Sequence, residues 1–170
     1  PGWHATPTLA AGSFGLVNPS LTAGHGGERL SFLAGYSERR GDAYEDGSGR
    51  RFTEVANYRP ENQADRAFSI GTAWGRVVWA PAAGHQVDVA YTRQDSGAVL
   101  YPYLLMDALW DDTDRLNLRY EATGLGERKA SVRAQGYLTR VDHWMTDERR
   151  TSSLAKPRAY SMGTQAETRT

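Results

Sequence analysis

Soft metal donors are present in the sequence at His143, Met145 and Met106. His143 and Met145 flank Trp144, and in an extended backbone two residues separated by one position point to the same side. An imidazole and a thioether together suit soft copper(I) better than a hard cation. Met106, beside Asp107, is a candidate for a third soft donor. The alternatives are that His143 and Met145 belong with Trp144 to an interfacial aromatic girdle and that Met106 is a packed loop anchor.

Aromatic side chains form a second candidate site, for a ligand larger than an ion. Tyr101, Tyr103 and Trp110 fall within a turn-rich stretch at 94–112 that we predict to be a long loop. Loops of more than about 12–15 residues in a compact domain are usually functional or disordered. These three side chains can hold such a ligand by aromatic and polar contacts.

Charged side chains are predicted to play supporting roles. Asp111, Asp112 and Asp114 lack the glycine and the closing glutamate of a calcium loop, which favours a solvated acidic loop. A second charged group is predicted to line the polar side of the sheet, as a salt-bridge network or as a guide for an anionic chelate. The members of this group are Arg115, Arg119, Arg133, Arg140 and Glu121.

The sequence has no pattern typical of an enzyme. It lacks Gly-x-Ser-x-Gly, His-Glu-x-x-His and a phosphate-binding loop. Ser13, His25 and Asp42 are the residue types of a catalytic triad, but nothing in their spacing brings them together. We therefore predict that the protein is not an enzyme, with no catalytic residues and no resident cofactor.

The composition excludes several classes of protein. The 170 residues contain 20 Lys+Arg and 20 Asp+Glu, so there is no net positive charge to attract nucleic acid. No run approaches the roughly 18 apolar residues that a transmembrane helix needs. The chain has no cysteine, which excludes disulfides and thiolate metal sites within it. Its 18 glycines, 5 tryptophans and 9 tyrosines are typical of a strand-and-turn protein.

The stretch at 114–145 contains the clearest structural pattern. Leu116, Leu118 and Tyr120 alternate with polar residues, a glycine-bearing turn follows, and alternation resumes between Ala130 and Leu138. Successive side chains of a strand point to opposite faces, so this pattern predicts a long β-hairpin. Strands of about 9–11 residues with one apolar and one polar face suit a transmembrane β-barrel. A hairpin of a soluble β-sandwich is the alternative.

The remaining strands extend this pattern along the chain. They are predicted at 4–14, 16–24, 28–39, 66–80, 85–93 and 160–170. The apolar phase changes between Phe68 and Val77, for which we predict a bulge near residues 71–75. Short turns near 25–27, 81–84 and 124–127 alternate with long loops near 40–65, 94–112 and 144–158. This alternation predicts an up-and-down antiparallel sheet with short turns at one end and long loops at the other, as in outer-membrane barrels.

Several stretches together resemble the β-barrel of TonB-dependent outer-membrane receptors. They are GSFGLVNPSLTAGHGGERLSFLAGYSERRGDAYEDGSG, VDVAYTRQDSGAVLYPYLLMDALWDDTDRLNLRYE, VRAQGYLTRVDHWMTDERRTSS and YSMGTQAETRT, and they cover nearly the whole chain. The resemblance implies an all-β, antiparallel, transmembrane barrel of about 22 strands, filled by a plug domain. This chain has room for about eight of those strands, open at both edges. Residues 1–170 are therefore expected to be a partial barrel domain, without the plug and the C-terminal strands.

The resemblance also implies a function. The family imports scarce metals or their complexes across the Gram-negative outer membrane, energised by the TonB complex acting through the plug. LYPYLLMD and VDHWMTD are most similar to the copper receptor branch, whose barrel carries a His-x-Met pair matched here by His143 and Met145. We therefore expect a metal receptor surrounded by outer-membrane lipid, with copper as its transported ligand and no nucleic-acid partner. The alternatives are a ferric-siderophore or cobalamin receptor, a small structural outer-membrane barrel and a soluble β-sandwich binding module.

Overall fold

A computed structural model describes residues 2–126, 129–152 and 158–169 of the chain. They form one eight-stranded antiparallel sheet in which each strand pairs with its neighbours in sequence. The strands are β1 (Gly2–Ala11), β2 (Val17–Gly26), β3 (Leu30–Asp42), β4 (Arg66–Trp79), β5 (His85–Ser96), β6 (Asp107–Leu125), β7 (Ala130–Thr146) and β8 (Arg158–Arg169). Within the described residues β1 and β8 each have a single partner, so the sheet is open at both edges. The predicted all-β, up-and-down architecture of about eight strands is confirmed.

The register of the strands gives the sheet two chemically different faces. Leu30, Trp79, Val87 and Tyr120 lie opposite one another on four neighbouring strands, β3 to β6. Leu118, two residues from Tyr120 and therefore on the same side, is 48% exposed. We call this side the apolar face. A contiguous exposed apolar surface of this kind marks a place where another apolar medium or partner belongs.

The opposite side of the sheet is the polar face. Arg76, Asp88 and Arg119 lie on it, on β4, β5 and β6, and they bond to one another. Polar and apolar side chains alternate along each of these strands, as the sequence predicted for the hairpin. The polar face is therefore the side on which bound ions and polar ligands can be held.

The predicted bulge near residues 71–75 is wrong. The pairing of β3 with β4 runs without interruption from Leu30 opposite Trp79 to Gly41 opposite Phe68, and shifts only beyond Gly41. Phe68 therefore lies on the polar face, where it packs against a cluster of buried apolar side chains in the long connections. The apolar phase changes along β4 because one end of its polar face is covered by these connections.

The connection between β3 and β4 is folded rather than an open loop, although the sequence predicted a loop over 40–65. It contains a short helix α1 (Phe52–Val55) and a 3₁₀ turn at Pro60–Asn62. Its apolar residues help to form the buried cluster against which Phe68 packs, which consists of Ala43, Phe52, Tyr58, Ala67 and Leu100. None of the helices in the described part of the chain has the length and apolar character needed to cross a membrane.

The three long connections lie at one end of the sheet, and the short turns after β2 and β4 lie at the other, as the sequence predicted. The short turn between β1 and β2 lies at the long-connection end, where Phe14 O accepts from Asp42 N at 2.8 Å. At the short end, Thr123 N donates to Gly84 O at 2.7 Å, which joins two neighbouring turns. At the other end, the connection between β5 and β6 meets the start of β4, where Leu100 N donates to Ala67 O at 2.8 Å. The long connections are therefore close enough to one another to fold as a unit.

Candidate functional site

His143 and Met145 lie within β7 rather than in the loop predicted to begin at residue 144. β7 pairs with β8 without interruption from Gln135 to Thr146, so this part of the strand is regular. Residues two apart in a regular strand point to the same side, and His143 and Met145 therefore both lie on the polar face. The side-chain types and spacing noted in the sequence are thus carried by a strand, which positions them more rigidly than a loop does.

Asp111 is the cross-strand partner of His143, and its Oδ2 atom lies 3.5 Å from the imidazole Nδ1. Histidines that bind metals usually present one ring nitrogen to the metal and the other to a carboxylate, a carbonyl or water. A carboxylate beside Nδ1 leaves Nε2 as the free donor of His143. The sequence analysis assigned Asp111 to a solvated acidic loop and so missed this contact.

Met106 precedes β6, and its side chain is partly exposed. It lies two positions before Ala108, the residue that faces Met145 across the ladder. Among the side chains that the structure describes, no group of three His, Cys, Asp or Glu residues forms a metal site. The candidate soft donors at this end of the sheet are the His143 imidazole and the thioethers of Met145 and Met106.

The three aromatic candidates are separated by the fold. Trp110 lies in β6 instead of the predicted loop, stacked on Trp144 at 5.3 Å between ring centroids. Its Nε1 donates to Asp142 at 3.0 Å. Trp110 and Trp144 lie opposite each other in the ladder, on the side away from His143.

Tyr101 and Tyr103 do lie in the connection between β5 and β6. Tyr101 is partly buried, and this burial raises the pKa of its hydroxyl. Tyr103 is 84% exposed and lines a cleft of about 330 Å³ at the long-connection end of the sheet. Other residues lining this cleft are Phe14, Tyr44, Phe52, Phe68 and Leu100. This cleft is the second candidate site, and its lining suits an apolar or aromatic group.

A buried charged network occupies the same end of the sheet. Arg150 and Asp107 are only 2% and 0% exposed, and Tyr58 is 2% exposed. Arg150 Nη2 donates to Asp107 Oδ1 at 2.6 Å and Nε donates to Oδ2 at 3.1 Å. The Tyr58 hydroxyl donates to Asp107 Oδ1 at 2.7 Å. Each of these residues comes from a different part of the chain, and no local sequence pattern could have brought them together.

The state of Tyr58 is fixed by its surroundings. Burial and the neighbouring carboxylate of Asp107 raise the pKa of the Tyr58 hydroxyl far above its usual range. The hydroxyl therefore stays protonated and remains a hydrogen-bond donor to Asp107. The Cζ atom of Arg150 lies 3.8 Å from the centroid of the Tyr58 ring, which adds a cation–π contact.

Arg119, Arg133 and Glu121, three members of the predicted salt-bridge group, form ion pairs on the polar face. Asp88 accepts from Arg76 at 2.7 Å and from Arg119 at 3.2 Å. Arg133 donates to Glu121 at 3.3 Å. The prediction for Arg140 is wrong, since it faces Asp114 on the apolar face. The error arose because Arg140 has the opposite parity along β7 from Arg133.

No family model and no curated protein matches the sequence. Among 27 matching chains of solved structures is the copper transporter OprC, with a TM-score of 0.72 and 22% sequence identity. The match covers 98% of this chain and 25% of that chain, so the present sequence spans about a quarter of the transporter. The likeness predicted from the sequence is therefore confirmed at the level of the fold: the eight strands are arranged as part of the β-barrel of such a transporter.

Proposed function

We propose that this chain is a barrel segment of a TonB-dependent receptor that imports a metal ion, and that the ion is copper. The observation that carries the proposal is the placement of His143 and Met145 together on the polar face, in a sheet with the fold of a copper transporter. In a barrel of this fold, the polar face lines the lumen through which a ligand passes. Asp111 behind the imidazole supports the assignment of His143 as a metal donor.

The outer membrane of a Gram-negative bacterium is the proposed location. Exposed apolar side chains such as Leu30, Trp79 and Leu118 form a continuous surface, which lipid would cover. β6 and β7 have 19 and 17 residues, more than the roughly 9–11 that a tilted strand needs to span the hydrocarbon. β6 continues to Asp107 beyond its last pair with β5, which joins Gln94 and Thr113, at the end with the long connections. We place this end outside the cell.

The proposal also includes parts of the receptor that lie outside these 170 residues. We take residues 1–170 as barrel alone, with a plug domain and further strands supplied by the rest of the protein. The TonB complex would act through that plug. Copper is the cargo in this proposal, bound through soft donors that include the Met106 thioether. We propose no enzymatic activity and no nucleic-acid partner.

The test is copper(I) binding by the full-length receptor in detergent. The double variant His143→Ala with Met145→Ala is expected to lose most of the affinity, while wild type binds copper with nitrogen and sulfur ligands. His85→Ala is the matched control, because His85 hydrogen-bonds Tyr120 at 2.8 Å near the short turns. Equal affinity in wild type and the double variant would reject the site.

A metal chelate is the second candidate for the cargo. It is favoured by the cleft of about 330 Å³ at the long-connection end, whose lining includes Tyr103 and Phe14. An aromatic siderophore or cobalamin would place an apolar group there. Uptake of a ferric siderophore or cobalamin, abolished by Tyr103→Ala and unaffected by the His143 and Met145 substitutions, would favour this function over copper import.

A further inference from the structure

Arg150 joins the three long connections. It lies in the connection that follows β7, and its Nη1 donates to Ala56 O at 3.0 Å in the connection between β3 and β4. Its Nη2 donates to Tyr101 O at 2.7 Å in the connection between β5 and β6. The backbone of Arg150 also forms a bridge with Tyr58. A single guanidinium, with its five N–H donors in a fixed fork, therefore holds all three connections.

Asp107 is the carboxylate at the centre of this arrangement and is also the first residue of β6. Besides Arg150 and Tyr58, it accepts a bond from Tyr101 N at 2.8 Å. Asp107 faces Thr146 in the last pair of the β6–β7 ladder. The network therefore holds the end of that ladder as well as the connections beyond it.

The ladder is irregular at this end. Trp110 faces Trp144, but the next pair along the ladder is Ala108 with Met145, so one residue of β6 has no partner on β7 between them. A bulge of this kind has one extra residue on one strand, and a shift of register by one residue turns side chains to the other face. The pairs beyond the bulge need an anchor, and the anchor in this structure is Asp107.

We propose that Arg150 is a positioning residue for the candidate donor pair. By holding Asp107, it secures the last pairs of the β6–β7 ladder beyond the bulge and so restrains the end of β7, where Met145 lies beside His143. The side to which Met145 points is set by the regular pairing of β7 with β8. The part of this inference that concerns metal rests on the proposed function; the part that concerns the ladder does not. Arg150 itself touches no donor atom and acts through Asp107.

Hydrogen exchange in the full-length receptor tests the anchoring of the ladder. Arg150→Met leaves the Asp107 carboxylate buried without its cation, and we expect amides at 107–110 and 145–146 to exchange on the order of tenfold faster. Arg149→Met is the matched control, because Arg149 forms an ion pair with Asp65 at 3.3 Å nearer the surface. The control should leave exchange at those amides unchanged.

Two milder variants keep the test decisive if the Arg150→Met protein does not fold and insert into the membrane. Arg150→Lys keeps the charge but loses the fork, and Tyr58→Phe removes one bond to Asp107 and one to Arg150. Both should accelerate exchange at 107–110 by less than Arg150→Met. Wild-type exchange in both variants overturns the inference, whether or not the receptor binds copper.

X-ray absorption of the copper-loaded receptor tests the consequence for the donors. The variant for this measurement is Arg150→Leu, because a methionine at position 150 would itself supply a thioether. In it we expect the sulfur scatterer to be lost while nitrogen remains, with an affinity about tenfold weaker. Arg149→Leu should keep both ligands. An unchanged sulfur signal in Arg150→Leu rejects the positioning role even if wild type binds copper. If wild type binds no copper, the proposed function fails, and the exchange measurement alone decides whether Arg150 anchors the ladder.

Discussion

The Nδ1 atom of His143 lies 3.5 Å from the Oδ2 atom of Asp111, its partner across the β6–β7 ladder. A carboxylate in this position orients the imidazole and raises its basicity toward a metal on the other nitrogen. Asp111→Asn is therefore expected to weaken copper binding by about 10–100-fold without removing a ligand.

The neighbouring Asp112→Asn variant serves as the control for Asp111→Asn. Asp112 bonds Arg93 at 3.0 Å and lies on the opposite face of β6. It should bind copper as the wild type does. Titration of the full-length receptor with a competing copper(I) chelator measures both variants, and equal losses in the two would show a general electrostatic effect rather than orientation of His143.

Tyr58→Phe is expected to destabilise the protein by about 1.5–3 kcal/mol, because it removes hydrogen bonds between the hydroxyl and two charged groups. The bonds in question, to Asp107 and from Arg150, are each 2.7 Å long and buried. Unfolding by urea, followed by tryptophan fluorescence, gives the free energy. Tyr103→Phe is the control, since that side chain is 84% exposed and should change little. Similar losses for both tyrosines would contradict the assignment.

Adjacent residues of β6 provide a test of the two faces. Leu118 lies opposite Val89 and Gly136 on the apolar face, whereas Asn117 lies on the polar face opposite Tyr137. Leu118→Arg should cost about 2–4 kcal/mol of folding free energy in lipid vesicles, as arginine does on a lipid-facing barrel surface. Asn117→Arg should be nearly neutral. The opposite ranking would reverse the assignment of the faces.

The turn at residues 46–50 should loosen in acid. Backbone N–H bonds from Arg50 and Ser48 lower the pKa of Asp46 below its ordinary value of 3.8. Because the pKa is lowered in the folded protein, the ionised carboxylate stabilises the turn fully at pH values above the ordinary pKa. This stabilisation is lost as the pH falls through the lower pKa of the folded protein. Exchange of the Ser48 and Arg50 amides, corrected for intrinsic rates, should accelerate below about pH 4. Asp46→Asn should remove this dependence on pH.

The sequence predicted the sheet better than the features at its end. Alternation at Leu116, Leu118 and Tyr120 reports burial against one apolar medium, which is a local property of each strand. Trp110 was placed in a loop because the acidic residues between Trp110 and Arg115 interrupt that alternation. The structure extends β6 through them by cross-strand bonds, such as those from Arg93 to Asp112 and Asp114, which no periodicity records.

The buried network of Arg150, Asp107 and Tyr58 could not be predicted from the sequence, for a different reason. Arg150 is separated from Asp107 by 43 positions and from Tyr58 by 92. Each lies in a polar stretch where a charge or a tyrosine is usually solvated. The four-residue helix Phe52–Val55 is likewise too short to be stable alone and depends on the cluster that it joins. Contacts over such separations follow from the completed fold.

The union of the three long connections through Arg150 also determines how the protein would be recognised from outside. In the proposed orientation these connections form the part of the receptor exposed at the cell surface, and residues distant in sequence lie side by side there. An antibody raised against the folded protein would therefore bind a discontinuous epitope. A peptide copied from any one connection would reproduce little of that surface.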